Sequence, residues 1–213
     1  MKVLLVKPYN QSDHIQPSLG LGYLASSIRK EHDVRLLDCI KDNLTIDKFI
    51  PILKEYNPAL LGLQCYTFDL PFIRLALRAA KDFNKDIVTI IGGPHSSALP
   101  EATLKSEKDL DFLFVGEAEK GFPQLVDRIE KGIKGFSDIP GLAFREGGVI
   151  KVNPKVIVED LDSLGLPAWD LIRPQEYPES QHGAFFKQFP IAPIMITRGC
   201  PYSCTFCAGS IVS

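Results

Sequence analysis

Five short runs of almost unbroken apolar character recur along the chain: KVLLVKP (2–8), VRLLDC (34–39), ALLGLQC (59–65), IVTIIGG (87–93) and DFLFVGE (111–117). Each is too short for an ordinary helix and rich in Val, Ile and Leu, the pattern of a strand buried on both faces of a parallel sheet. Between the runs the apolar spacing changes to the helical period. Helices are expected from Ser18, Thr45, Asp69, Leu99 and Lys120. Ser18, Thr45 and Asp69 suit the N-cap, and Pro71 and Pro100 fall in first turns, where a missing N–H does no harm. Strand and helix alternate strictly. Right-handed crossovers then predict an α/β fold, a doubly wound flavodoxin-like parallel sheet with helices on both faces.

After Gly135 the pattern changes. IPGLAFREGGVIKVNPK alternates apolar and polar positions around Glu146-Gly147-Gly148 and predicts a hairpin. EDLDSLGLPAWDLIRPQEYPES is a proline-punctuated connector, and IAPIMITRGC starts a further strand leading to Cys200. The chain divides on this reading into a domain over 1–135, a hairpin and connector over 136–190, and the first strand and loop of a second domain over 191–213. A complete (β/α)8 barrel takes about 250 residues, so a barrel opened by that strand would be truncated here.

Composition narrows the partners. Of 213 residues 45% are hydrophobic, enough for a substantial core, and 24 basic against 26 acidic residues leave a net charge of −2 with no basic cluster. That excludes a nucleic-acid footprint. The opening MKVLLVKPYN is broken by Lys7 and Pro8 too early for a signal peptide, and no run reaches membrane-spanning length, so a cytoplasmic chain without a membrane span is expected. Five cysteines, an odd number, then point to free or metal-bound thiols. Cys39 and Cys65 end apolar runs and are read as packed thiols.

Cys200, Cys204 and Cys207 are different. In CxxxCxxC, three thiolates on one loop can hold three corners of a four-iron cluster and leave the fourth iron open. A structural zinc would need a fourth ligand, for which His182 lies well upstream across a Phe-rich segment. A doubly wound sheet binds ligands beyond its C-terminal strand ends, and here those ends carry PYNQSDHIQPSLG, QCYTFD, GGPHSS and GEAE. GLGYLA (20–25) fits a dinucleotide fingerprint in letters only. Its glycines fall inside the helix capped by Ser18 instead of in the turn after the first strand, and are expected to serve close packing. No aspartate ends the third run, as a phosphorylatable receiver requires, and PYNQSDH is not the phosphate loop of a flavodoxin.

RGCPYSCTFC resembles the cluster loop of the radical S-adenosylmethionine superfamily. KVLLVKPYN, PSLGLGYLASSIRK, GGPHSSALPEATL, GEAE, IPGLAFREGG and LDSLGLPAWDL, in that order, resemble the N-terminal cobalamin-binding part of cobalamin-dependent radical S-adenosylmethionine enzymes, similar to anaerobic magnesium-protoporphyrin IX monomethyl ester cyclase-like proteins. The resemblance implies cobalamin held by residues 1–135, a 4Fe-4S cluster on Cys200, Cys204 and Cys207, and S-adenosylmethionine on its open iron. It implies an external electron donor, and radical methyl transfer or an oxidative or cyclising step on a small-molecule, lipid or tetrapyrrole-like substrate. Under it, Gly92 and Gly93 admit the nucleotide tail, Thr67, His95 and Ser96 bond its polar atoms, Tyr9, Leu19 and Tyr66 pack on its apolar faces, and Glu117 accepts a hydrogen bond. The loop after the first strand has Asp13-His14-Ile15-Gln16-Pro17 in place of DxHxxG, so a base-off cobalamin without a histidine ligand is expected. The fragment by itself is expected to be inactive. The rival reading is a non-catalytic carrier or sensor module with a zinc-binding or vestigial cysteine loop.

Overall fold

The apolar runs become β1 (Lys2–Lys7), β2 (Asp33–Asp38), β3 (Leu60–Gln64), β4 (Val88–Gly92) and β5 (Phe112–Phe114) in the computed structural model, which describes residues 1–11, 15–179, 187–202, 204–207 and 209. They pair in parallel in the order β2-β1-β3-β4-β5. Each strand alternates its side chains between two cores. Leu4, Val6, Leu61, Leu63 and Ile91 meet Phe49 and Leu53 of α2 (Ile46–Tyr56) and Ile73 and Leu77 of α3 (Leu70–Phe83). Val3, Leu5, Leu60, Ile90 and Phe114 meet Leu21 and Ala25 of α1 (Leu19–Ile28) and Phe122, Leu125 and Val126 of a later helix over Gly121–Lys131. Cys39 and Cys65 are fully buried, and burial pushes both thiols up, Cys65 to about 12.

The N-caps divide. The Ser18 hydroxyl accepts from the Leu21 N–H at 3.4 Å. Thr45 and Asp69 precede their helices without a side-chain cap bond. Asp69 instead closes a one-turn 3-10 helix over Thr67–Asp69 by accepting from the Tyr66 N–H at 2.9 Å. Two short helices, α4 (Pro94–Ala98) and α5 (Pro100–Ser106), stand between β4 and β5, and the Gly121–Lys131 helix is α6.

The hairpin is part of the sheet. β6 (Leu142–Glu146) and β7 (Val149–Val152) are antiparallel, and β6 pairs antiparallel with β5, so the strand order is extended to seven. Gly147 and Gly148 turn between them at φ 59° and 81°, values that suit a two-residue hairpin turn. The chain from Asn153 then crosses back. α7 (Trp169–Ile172) lies on α1, where the Ala168 N–H donates to the Gly22 carbonyl at 3.0 Å and Arg29 makes a two-pronged pair with Asp170 at 2.6 Å. Gly22 is required there: a Cβ on it would stand 2.4 Å from Ile172 Cδ1 and 3.0 Å from Pro167 Cβ. The close packing expected of the GLGYLA glycines holds for this one, whereas Gly20 faces open space.

The strand expected in IAPIMITRGC is not formed. Residues 191–199 have no regular structure, and Ile194 and Ile196 are largely exposed. The physical reason is pairing: a strand needs a neighbour for its N–H and C=O groups, and among the described residues none runs beside this one. No helix among the described residues is long and apolar enough to cross a membrane.

Candidate functional site: a cavity where the strand order reverses

The connection leaving β1 runs to β2 on one side and the connection leaving β3 runs to β4 on the other, and the crevice this leaves at the C-terminal ends is where doubly wound sheets bind ligands. A cavity of about 870 Å³ opens there. It does not stop at the strand ends. Leu5, Gly62 and Ile90, in register across β1, β3 and β4, line it with Phe114, while Leu21 and Leu24 of α1 and Phe122 of α6 line it from the helix layer. The missing side chains of Gly62 and Gly92 open a trough between sheet and helices. Gly93 has φ 125°, and a Cβ on it would lie 2.9 Å from the Cys65 carbonyl oxygen, so only glycine lets β4 end this close to β3.

The residues singled out by the sequence separate into two sets. Leu19, Tyr66, Gly92, Gly93 and Glu117 line the cavity, together with Cys200. Tyr9 packs against the opposite core, with Phe49 and Ile73. Thr67 and His95 bond one another, Oγ1 to Nδ1 at 3.0 Å, and His95 is buried. Ser96 is fully buried with its hydroxyl 2.9 Å from the Gly93 carbonyl and 3.0 Å from that of Phe114, so it braces the β4 turn. His14 and His182 lie outside the described residues.

A set of polar and aromatic contacts surrounds the cavity. Lys7 is buried at the end of β1, where its Nζ donates to the Gln16 carbonyl at 2.7 Å and to Asp38 Oδ2 at 3.0 Å. Asp38 also accepts from the Ile40 and Lys41 N–H groups at 3.1 and 3.0 Å and from the Tyr177 hydroxyl at 2.7 Å. Burial and the Asp38 charge push the Tyr177 phenol far above its ordinary range, which keeps it a donor. Ser18 donates to Gln64 Oε1 at 2.5 Å across the crevice. Asp69 accepts from Asn10 at 2.8 Å, and its burial holds the carboxyl above the usual range. Tyr66 and Phe68 stack at 5.4 Å and 4° at the mouth, both exposed.

The opposite rim joins distant parts of the chain. Glu117 accepts from the Val158 N–H at 2.7 Å and lies 3.5 Å from Arg198, which reaches Glu119 at 2.9 Å. Pro193, Met195, Arg198 and Gly199 line the cavity on this side. Cys200, Cys204 and Cys207 are exposed. Three thiols on one loop are the donor set of an iron-sulfur centre. In this structure they are not gathered about one point, and among the described residues no three His, Cys, Asp or Glu side chains are.

A doubly wound sheet whose switch-point cavity continues into the layer between sheet and helices defines a ligand-binding α/β domain. The chain belongs to the B12 binding domain family, which matches residues 10–126. It is 32% identical over 218 residues to an uncharacterized methyltransferase of Pyrococcus horikoshii, a match covering 99% of this chain and 46% of that one. It is 26% identical over 222 residues to the anaerobic magnesium-protoporphyrin IX monomethyl ester cyclase of Rubrivivax gelatinosus, covering 98% and 38%. The chain therefore spans less than half the length of these curated relatives. A cobalamin-dependent S-adenosylmethionine radical enzyme, OxsB, solved with aqua-cobalamin bound, superposes with a TM-score of 0.68 over 82% of this chain and 25% of that one, at 24% identity. That likeness is one of fold.

Proposed function

We propose that this chain binds cobalamin in the switch-point cavity and is the cofactor-holding part of a radical S-adenosylmethionine enzyme. The observation that carries the reading is the trough over Gly62 and Gly92. It runs from the strand ends into the layer between sheet and helices, and Gly62, Ile90, Gly92 and Phe114, which line it, lie within the residues that match the B12 binding family. A compact ligand would need only the rim, whereas a cofactor with a detached nucleotide tail uses the whole length. Leu19, Tyr66, Gly92 and Gly93 hold the cofactor at the rim, and Leu5, Gly62, Ile90 and Phe114 receive the tail. Bound cobalamin supplies a methyl carrier or a redox centre. The chain's own residues orient it and exclude water: Leu5, Ile90 and Phe114 give the trough an apolar lining, and the Lys7–Asp38–Tyr177 network ties the end of β1 to β2 and to the connector.

Cys200, Cys204 and Cys207 are the residues to hold a 4Fe-4S cluster with S-adenosylmethionine, served by an external electron donor. The reaction class is radical methyl transfer or an oxidative or cyclising step, as the names of the relatives suggest. Titration of the purified chain with hydroxocobalamin, NAD and FMN tests the first part. Saturable one-to-one binding is expected for cobalamin alone, with a Co(II) spectrum free of nitrogen superhyperfine splitting. Saturable flavin or nicotinamide binding, with none for cobalamin, overturns it. Anaerobic reconstitution with iron and sulfide tests the second: the Cys200/Cys204/Cys207 triple alanine variant is expected to hold no cluster. If it holds the same iron as the parent, the carrier or sensor reading replaces the enzyme.

A further inference from the structure

We propose that Arg198 is a clasp that seats the cysteine segment on the rim of the cavity, so that filling the cavity and positioning the cysteines are coupled. Glu117 and Glu119 follow β5, with side chains only 9% and 8% exposed. Two carboxylates withdrawn this far and two residues apart repel one another and lose their hydration unless a cation joins them. Arg198 is that cation. Its Nη2 lies 2.9 Å from Glu119 and its Nη1 3.5 Å from Glu117, and the side chain is itself 16% exposed. The forked guanidinium reaches both acids at once, which the single ammonium of a lysine does poorly.

The clasp ties together parts of the chain that are far apart in sequence. The Arg198 guanidinium lies over the Tyr23 ring of α1 at 5.8 Å, its Nε donates to Met195 Sδ at 3.2 Å, and Glu117 is fixed from behind by the Val158 N–H. Arg198 stands two residues before Cys200, and both residues line the cavity, as do Glu117 and Glu119. Occupancy of the cavity and seating of this segment therefore bias one another, and by linkage the effect is reciprocal. The inference rests on the cobalamin reading only for the identity of the occupant.

Trypsin reads the clasp directly, because it cuts after Arg198 only when that side chain is free to enter the protease. With the full chain, mass spectrometry follows cleavage at Arg198–Gly199, using the cut after the exposed Lys187 as the internal reference. Glu119→Gln is expected to speed the Arg198 cut by roughly tenfold or more and to leave the Lys187 cut unchanged. Arg198→Lys, which retains a tryptic site, is expected to do the same and stands in if Glu119→Gln does not fold. Saturating hydroxocobalamin should slow the Arg198 cut in the parent, and its affinity should fall in Glu119→Gln by the factor by which that protection weakens. Cleavage at Arg198 that neither variant alters overturns the clasp, and so does a rise shared equally with Lys187. Protection by hydroxocobalamin that is the same in parent and variant overturns the coupling. If hydroxocobalamin binds to none of the proteins, the cobalamin reading fails, and the ligand-free rates still decide the clasp.

Discussion

At the scale of single residues, the cavity is made by what is left out. Gly62 sits between Leu5 and Ile90, and a Cβ there would already stand 3.0 Å from Leu5 Cδ2. Gly62→Leu is expected to fill the trough and lower hydroxocobalamin affinity by at least about tenfold. The fold should survive, because the added methyls enter an existing space and the tight contact is with the terminal Cδ2 of Leu5, a side-chain atom and not backbone; an unchanged affinity would remove Gly62 from the site. Lys7 is the converse case, a group whose loss is felt at once. Lys7→Met leaves Asp38 buried with its strongest partner gone, and breaking such a pair costs about 3–5 kcal/mol. The remaining donors, two backbone N–H groups and the Tyr177 hydroxyl, place the cost at the low end. Urea unfolding of Lys7→Met and Tyr177→Phe would show it, with Tyr177→Phe expected to lose about 1 kcal/mol.

At the scale of elements, the docking of α7 on α1 depends on one missing side chain. Gly22→Val would drive a methyl into Ile172 Cδ1 and Pro167. A destabilisation of about 1–3 kcal/mol is expected from overpacking, together with faster proteolysis between Asn153 and Tyr177; parent-like values for both would mean that the connector is not held there. Elements of this kind also mark how much could be read in the chain. The five parallel strands and helices α1, α2, α3, α5 and α6 were legible because each run satisfies its period from neighbours in sequence, whereas the one-turn α4 over Pro94–Ala98 is too short to show a period in GGPHSS. Ser18 was legible as a cap for the same reason. The pairing of β6 with β5 was not, since the alternation in IPGLAFREGGVIKV identifies a hairpin but not the edge it will join. Gly62 carried a readable sign, a lone glycine within an apolar run, but one that does not say whether a bulge or a ligand requires it. The partnerships of Arg198 with Glu119 and of Tyr177 with Asp38 join residues far apart in sequence and left no local mark. IAPIMITRGC shows the opposite failure: its composition suits a strand, but no strand forms without a partner beside it.

At the scale of the whole molecule, buried thiols make stability depend on alkali. Cys39 and Cys65 lie with the Phe49 and Ile73 core on the face away from the trough, and burial raises both thiols. Cys65 moves from an ordinary value of 9.0 to about 12. Within that window the folded chain keeps a proton that the unfolded chain gives up. Stability is therefore present in full below pH 9.0 and declines as pH rises toward about 12. Guanidinium midpoints measured across this range should fall steadily, and the Cys39/Cys65 double alanine variant, weaker at neutral pH, should show a flatter decline. A parent curve with no alkaline slope would contradict the burial of both thiols. Finally, the chain is docked through Tyr177 on Asp38 and returns to the cavity by Pro193, so only a short stretch separates the two anchorages. It acts as a tether. The cysteines meet the cavity as tethered groups, so their seating on the rim is an intramolecular event and a clasp too weak to join separate molecules can still close. Lengthening the link with glycine and serine should open it in proportion to the dilution, with every contact residue left intact.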